Sequence, residues 1–487
     1  MALHLPNEII LIIFSFLEPG DVVNTAVTCS YFHQLAGGRL KEHRELCAKY
    51  KHLSVENSVQ CDFLEKAYQD PWLWYYVKEL KYEPYRPRIG DMTSTFEEMI
   101  VSLLASSPYA DYAVHDYGLR MANHAKMNKG LEWRGFFLGV LLTLLPNLTH
   151  LHIETSDFYH TLCAPMVRTI IEDNKRNPSL KSLRKLSSIT LIPWDRQHVA
   201  NMGWVIPLLE LPSLHLFEGF TITCDLCLRL FGTIPSSSLE EIDVTFSDIH
   251  HPQFLSRLTN LRKFTYHYST RYLDKGTTPT DLHQMIARLK RPCSQTLEIL
   301  EFRNGRSIDR MSSSLRDFRG FRKLRRLMIP APFVFGEGPG VDAFDDDLPP
   351  TNKFPRRFTK PKFGWDDMAR CVPRLVDILP QSIESVEISI VECPEAASHF
   401  LKDLAELKHE RLPSLKTIVF RGREADRDGL EPLKDMKVWG SVGVKVEVCE
   451  VLPVKTFIGS EEEADLEDLD DPDLEYVEMV SSDDDDQ

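Results

Sequence analysis

The sequence predicts an α/β fold, in which a small helical module precedes a long array of parallel strands with outer helices. Three observations carry this expectation. The first ~40 residues are densely apolar and punctuated by Pro and Gly, a short apolar pattern recurs along most of the chain, and the C-terminal end is almost purely acidic. With 487 residues the chain exceeds one ordinary domain of ~100–200 residues. Several domains or a repeat array are therefore required.

The N-terminal module comes first. Leu5-Pro6-Asn7-Glu8 has helix-start chemistry, because Pro6 suits a first helical turn and Glu8 faces the positive end of the helix. The run Ile9-Ile10-Leu11-Ile12-Ile13-Phe14-Ser15-Phe16-Leu17 is apolar nearly all round, so a helix there must be covered on more than one side. Pro19-Gly20-Asp21 breaks it and opens a second short helix over Val22–Val27. Cys29, Phe32 and Leu35 then recur at three-residue spacing, as on one face of a third helix. Three helices in ~35 residues cannot bury that much apolar surface alone. The module calls for a partner surface.

These residues resemble the F-box family. The family pattern stands here as Leu5-Pro6-x-Glu8-Ile9, Ile13-Phe14, Leu17, Pro19-x-Asp21, Val27-x-Cys29, Phe32 and Leu35. Val22-Val23 replaces the usual Leu pair, and Ser30 replaces a common basic residue. The resemblance implies an F-box over residues 1–45 and a helical linker over 46–70. It also implies that Leu5, Pro6, Ile9, Ile13, Phe16, Leu17, Val27, Cys29, Phe32 and Leu35 build the module and supply its adaptor-binding residues. The adaptor would be of the Skp type and would in turn bind a cullin and its ubiquitin-conjugating enzyme.

An apolar-x-x-apolar-x-apolar pattern recurs through the remainder. It reads Val77-x-x-Leu80-x-Tyr82, Leu148-x-x-Leu151-x-Ile153, Leu186-x-x-Ile189-x-Leu191, Leu239-x-x-Ile242-x-Val244 and Leu261-x-x-Phe264-x-Tyr266. It continues as Leu297-x-x-Leu300-x-Phe302, Leu324-x-x-Leu327-x-Ile329, Ile383-x-x-Val386-x-Ile388 and Leu415-x-x-Ile418-x-Phe420, with a degenerate copy at Leu214-x-x-Phe217. Leucine-rich repeats carry this strand signature at steps of ~20–29 residues, and the middle copies, starting at 186, 214, 239, 261, 297 and 324, step by 28, 25, 22, 36 and 27 and so fit with one insertion. Helix-like apolar stretches at Trp133–Leu145, Ala164–Glu172 and Leu282–Leu289 lie between copies. The remainder resembles the irregular leucine-rich-repeat half of F-box proteins, particularly the divergent fungal type. That resemblance implies a solenoid over 71–455, a curved parallel sheet inside and helices outside, stabilised by contacts between neighbouring repeats.

Two segments interrupt the pattern. Residues 330–362 are rich in Pro, Gly and Asp and are expected to form a loop insertion. Residues 460–487 hold fifteen Asp and Glu and no Lys or Arg, and are expected to be a disordered acidic tail. The net charge of −15 therefore resides in the tail, and the remaining 57 acidic residues balance 57 basic ones. No nucleic acid partner is expected from a neutral body.

Cys224-x-x-Cys227 has no second ligand pair at zinc spacing, so core cysteines are expected. His250-His251 precedes Pro252 in a turn, and Gly336–Gly340 is followed by no Gly-Lys-Ser/Thr. No Gly-x-Ser-x-Gly elbow occurs. Neither an intrinsic catalytic site, a metal nor a cofactor is expected. The apolar run Phe136–Leu145 is shorter than the ~20 residues a membrane helix needs, and no secretory leader pattern opens the chain. The expected location is cytoplasm and/or nucleus, with cysteines as thiols. Ser481-Ser482 before four Asp suits an acid-directed kinase.

The resemblance implies the role of a substrate-recognition subunit in a Skp–cullin–F-box ubiquitin ligase. Its protein substrate would lie on the concave sheet face, where alternating strand residues point. The candidates are Glu79, Lys81, His150, His152, Glu241, Asp243, Lys263, Glu301, Arg326 and Glu387. Two alternatives are a scaffold that binds the adaptor outside a ligase and a plain repeat-based interaction module.

Overall fold

A computed structural model describes residues 5–55, 61–83, 94–128, 132–155, 160–193, 200–202, 205–223, 237–245, 252–268, 282–304, 317–335, 372–389, 391, 394–422, 429–433 and 437–450. The acidic tail, Cys224, Cys227, His250, His251 and most of the 330–362 segment lie outside these residues.

The chain begins with four helices, α1 (Asn7–Phe16), α2 (Pro19–Ala26), α3 (Ser30–Leu35) and α4 (Gly37–Tyr50). Pro19 occupies the first position of α2, where a missing N–H costs nothing. Cys29 caps α3, its sulfur accepting the Phe32 N–H at 3.5 Å. A small core of Ile10, Phe14, Val22, Ala26, Ala36 and Leu40 joins the helices, and Phe32 meets Phe14 edge-on with ring centroids 6.2 Å apart. The expected three helices are present, and the fourth extends the module toward the sheet.

Twelve strands form one wholly parallel sheet. In chain order they are β1 (His52–Val55), β2 (Glu79–Tyr82), β3 (His150–Thr155), β4 (Ser188–Pro193), β6 (Leu216–Phe220), β8 (Glu241–Thr245), β9 (Lys263–Tyr268), β10 (Ile299–Asn304), β11 (Arg326–Pro330), β12 (Ser385–Ser389), β13 (Thr417–Gly422) and β14 (Lys445–Glu450). Strand order across the sheet is chain order, so each strand pairs with the one before and the one after. A two-residue pair, β5 (Ala200–Asn201) and β7 (Ile222–Thr223), stands apart. Parallel neighbours need crossovers. These are supplied by α6 (Ser94–Ala105), α7 (Ala113–Asn128) and α8 (Glu132–Leu144) before β3, by α9 (His160–Arg176) before β4, and by helix Leu282–Cys293 before β10. A further helix, α5 (Cys61–Gln69), with the 3-10 turn Pro71–Tyr76, separates β1 from β2.

Register explains the recurring pattern. The second apolar position of each copy aligns across the sheet, as in Leu80↔Leu151, Leu151↔Ile189, Ile242↔Phe264, Phe264↔Leu300 and Val386↔Ile418. Alternate residues thus turn to one face and fill a continuous core running from Leu53 to Val448. In the degenerate copy Gly219 takes the third apolar place, and Ile222 fills the space, since a Cβ there would lie 2.8 Å from its Cδ1. One residue before each of β8 to β13 a charged row alternates in sign: Glu240, Arg262, Glu298, Arg325, Glu384 and Lys416. Its carbonyls and N–H groups bond successively, for example Arg325 N–H to Glu298 O at 2.8 Å and Glu384 N–H to Arg325 O at 2.8 Å. Side chains pair along the row, Lys416 with Glu384 at 2.6 Å, Arg325 with Glu384 at 3.8 Å and Arg262 with Glu240 at 3.7 Å. Opposite charges on adjacent strands favour this neighbour order over a slipped one.

Two boundaries differ from expectation. β1 lies within 46–70, the segment expected to be a helical linker. The loop expected from residue 330 begins later, because Pro330 closes β11 and helix Ala331–Phe335 follows with Phe333 and Val334 buried.

Candidate functional site: an apolar helical face and a charged sheet face

The first surface belongs to α1–α3. Helix α1 is apolar on every side, but only Ile10 and Phe14, one turn apart, reach the small core. Leu5, Pro6, Ile9, Ile13 and Phe16 are exposed, Phe16 by 76%. Val27, just past α2, is 73% exposed, and Cys29 is also open. Leu17, Phe32 and Leu35 are half-buried against the core, so these three shape the module as much as they face out. The sequence reading omitted Leu11, Ile12 and Tyr31, which are exposed on the same helices, Ile12 by 52%. The unbroken Ile9–Phe14 run already held that signal. Tyr31 is held in place by donating its hydroxyl hydrogen to Asn7 Oδ1. Contiguous apolar side chains left open on helices mark an interaction surface.

This module is fastened to the segments that connect the strands. Lys181 Nζ lies 2.5 Å and 2.6 Å from the two Glu18 oxygens. Burial first, and then the Glu18 carboxylate, push the Tyr75 hydroxyl above its ordinary pKa, so it stays a hydrogen-bond donor. His43 on α4 packs at a tilt against Tyr76 with centroids 5.2 Å apart, and Tyr76, in the 3-10 turn before β2, is pushed by burial up to about 12.

The second surface is the polar face of the sheet. At the β1–β2 end, Glu79 accepts from His52 Nδ1 at 2.6 Å and meets Lys51 Nζ at 3.3 Å. Burial alone would raise the Glu79 carboxyl, but hydrogen bonds from Lys51 and His52 outweigh it and hold the group below its ordinary value. Lys81 contacts Glu83 and lies 3.8 Å from Glu154. His150 shares a 2.8 Å hydrogen bond with Thr149 Oγ1, and His152 Nε2 is 3.9 Å from Glu154. Further along, Lys263 meets Glu241 at 3.2 Å, and Asp243 meets His267 at 3.2 Å. Glu301 is only 3% exposed, held by Arg303 at 2.7 Å and Arg326 at 3.3 Å. Arg326 also reaches Glu387 at 4.0 Å, and Arg421 grips the same carboxylate.

The ten candidates thus form two groups. Glu79, Lys81, His150 and His152 sit on β2 and β3, while Glu241, Asp243, Lys263, Glu301, Arg326 and Glu387 sit on β8–β12. Strands β4 and β6 separate them. His267, Arg303 and Arg421 were missed because they occupy the fifth residue of their strands, beyond the pattern used to find the others. Buried polar atoms without a partner, Thr265 Oγ1 and Ser389 Oγ, lie among the second group. Among the described residues there is no group of three metal-ligating side chains and no helix long and apolar enough to cross a membrane.

The comparison with known families agrees with the first surface. Residues 2–46 match the F-box-like family, so the α1–α4 module is an F-box-like domain. No curated protein matches the chain.

Proposed function

We propose that the chain is the substrate-recognition subunit of a Skp–cullin–F-box ubiquitin ligase. F-box domains generally bind Skp-type adaptors, and the observation that carries the reading is the open apolar face of α1–α3. Seven of the ten adaptor-binding candidates are exposed there, on a module whose own core is only six buried residues. A domain with so small a core gains stability from a partner that covers the rest.

The remainder reads best as an irregular leucine-rich-repeat array. Chain-order parallel strands, one apolar register and variable helical crossovers support that reading. Its charged face offers the substrate surface, with both the Glu79–His152 and the Glu241–Glu387 groups held in place by ion pairs. The protein itself forms no covalent bond to ubiquitin in this scheme. It raises the effective concentration of substrate beside the charged conjugating enzyme. The Glu18–Lys181 contact serves that end by tying the start of α2 to the loop between α9 and β4.

Co-expression with a Skp-type adaptor tests the proposal. Wild-type chain should co-elute one to one and bring cullin with it, and a Leu5→Ala/Pro6→Ala variant should lose both. Adaptor without cullin would favour a scaffold outside a ligase. No adaptor binding by the wild type would sink the reading.

A further inference from the structure

The turns that lead into β9 and β11 and the last turn of helix Leu282–Cys293 before β10 collect cations: Arg257, Lys290, Arg291, Arg319, Arg322 and Lys323. Hydrogen bonds stack these turns on one another. Cys293 donates to Leu258 O at 3.0 Å, Thr296 Oγ1 to Thr259 O at 3.2 Å, and Arg322 N–H to Ser294 O at 2.8 Å. Gly320 brings two of the cations together. A Cβ there would stand 1.8 Å from Lys290 Cε, so the lysine stem lies across the turn. Its ammonium then reaches Asp317 at 2.5 Å, and Arg319 shares that carboxylate at 3.2 Å.

Asp317 is therefore used twice, while four cations remain over. Arg257, Arg291, Arg322 and Lys323 are exposed and form no ion pair among the described residues. Among the described residues, the acids nearby other than Glu298 are already engaged. Glu240 pairs with Arg262, Glu301 with Arg303 and Arg326, and Glu384 with Arg325 and Lys416. Glu298 lies one residue before β10, between Arg262 and Arg325 in the alternating row, and cannot neutralise four charges. Since residues 1–459 carry equal numbers of acidic and basic residues, this excess is a local segregation of charge.

We propose that this edge is a docking surface for an acidic segment of a partner polypeptide, carrying carboxylates or phosphates. Three adjacent turns span about 10 Å at the ~4.8 Å spacing of sheet neighbours, room for roughly three or four residues of extended chain. The guanidiniums of Arg257, Arg291 and Arg322 match carboxylate and phosphate geometry. The Glu240, Glu298 and Glu384 positions border the patch and oppose a continuous polyanion, whereas a peptide can place neutral residues against them. The inference uses no residue of the F-box-like domain and stands or falls separately from adaptor binding.

Fluorescence anisotropy on the full chain tests it, with a labelled Asp/Glu-rich peptide, its phosphoserine counterpart, a neutral Gln/Ser peptide and an oligothymidylate of equal charge. The acidic peptides should bind and the neutral one should not. Arg322→Glu/Lys323→Glu should weaken binding at least about tenfold, equivalent to ~1.4 kcal/mol. Arg322→Gln/Lys323→Gln should weaken it less, and decides the matter should charge reversal disturb folding. Lys402→Glu, an exposed cation on a different turn, should leave affinity unchanged. Absence of peptide binding, equal affinity in wild type and the Gln variant, or equally tight oligothymidylate binding would each overturn the proposal.

Discussion

The sharpest consequence of the α1 geometry is that neighbouring residues on one helix should fail in opposite ways. Full burial of a Phe or Ile side chain is worth ~1.5–3 kcal/mol. Phe16 is 76% exposed and Ile12 52% exposed, so covering what remains open should yield roughly 1–2 kcal/mol for the first and roughly 1–1.5 for the second. Removing both by Ile12→Ala/Phe16→Ala should therefore cost adaptor affinity about 2–3.5 kcal/mol, or about 30- to 300-fold in Kd. Folding should barely respond, within about 0.5 kcal/mol, because neither side chain reaches the small core. Phe14→Ala should do the reverse. Phe14 is 2% exposed and in contact with Phe32, and its truncation should cost ~3–5 kcal/mol of module stability. Calorimetric titration of a Skp-type adaptor gives the first quantity, and amide hydrogen exchange across residues 7–50 of the free chain gives the second. Wild-type affinity in the double variant, or exchange as fast as in Phe14→Ala, would refute the division of α1 into an inner and an outer face.

Other expectations follow from the sheet. Arg325→Glu sets three glutamates side by side in the alternating row, which should destabilise the chain by roughly 1–2 kcal/mol at low salt in urea titration, and less at high salt. Glu387→Ala strips the Arg421 and Arg326 guanidiniums of a shared, nearly buried carboxylate and should cost about 1–3 kcal/mol by the same assay. Gly443 holds φ +68° at the turn into β14, so Gly443→Ala should cost ~1–2 kcal/mol, seen as faster exchange in β14. The Glu79 carboxyl titrates below its unfolded value. Its contribution is therefore complete above the unfolded pKa and is lost as pH falls through the folded one, so exchange in β1 and β2 should rise below about pH 4 and fall back in none of the neutral range.

Much of this arrangement could be read in the residues, and the exceptions have physical causes. The apolar-x-x-apolar-x-apolar pattern located ten strands of the main sheet because, Gly219 apart, their buried ladder positions carry large apolar side chains. β14 escaped because Gly443 stands where other copies carry Leu, Ile or Val, so the first mark of the pattern is missing while Val446 and Val448 remain. β1 escaped because Tyr50 takes that first place and α4 runs directly into it, making the segment look helical. On α1, composition could show that the helix must be covered on more than one side, but not which side its own module covers. That depends on where Val22, Ala26, Ala36 and Leu40 fall once three turns have been made. The charged face was the least legible. Strand alternation says which residues point outward, yet only register shows that Glu301 and Glu387 lie close enough to share Arg326. Local sequence fixes the direction of a side chain, and the pairing of distant strands fixes its neighbours. A carboxylate such as Glu301, drawn from one repeat and paired with a guanidinium from the next, is a property of the array and of no single copy within it.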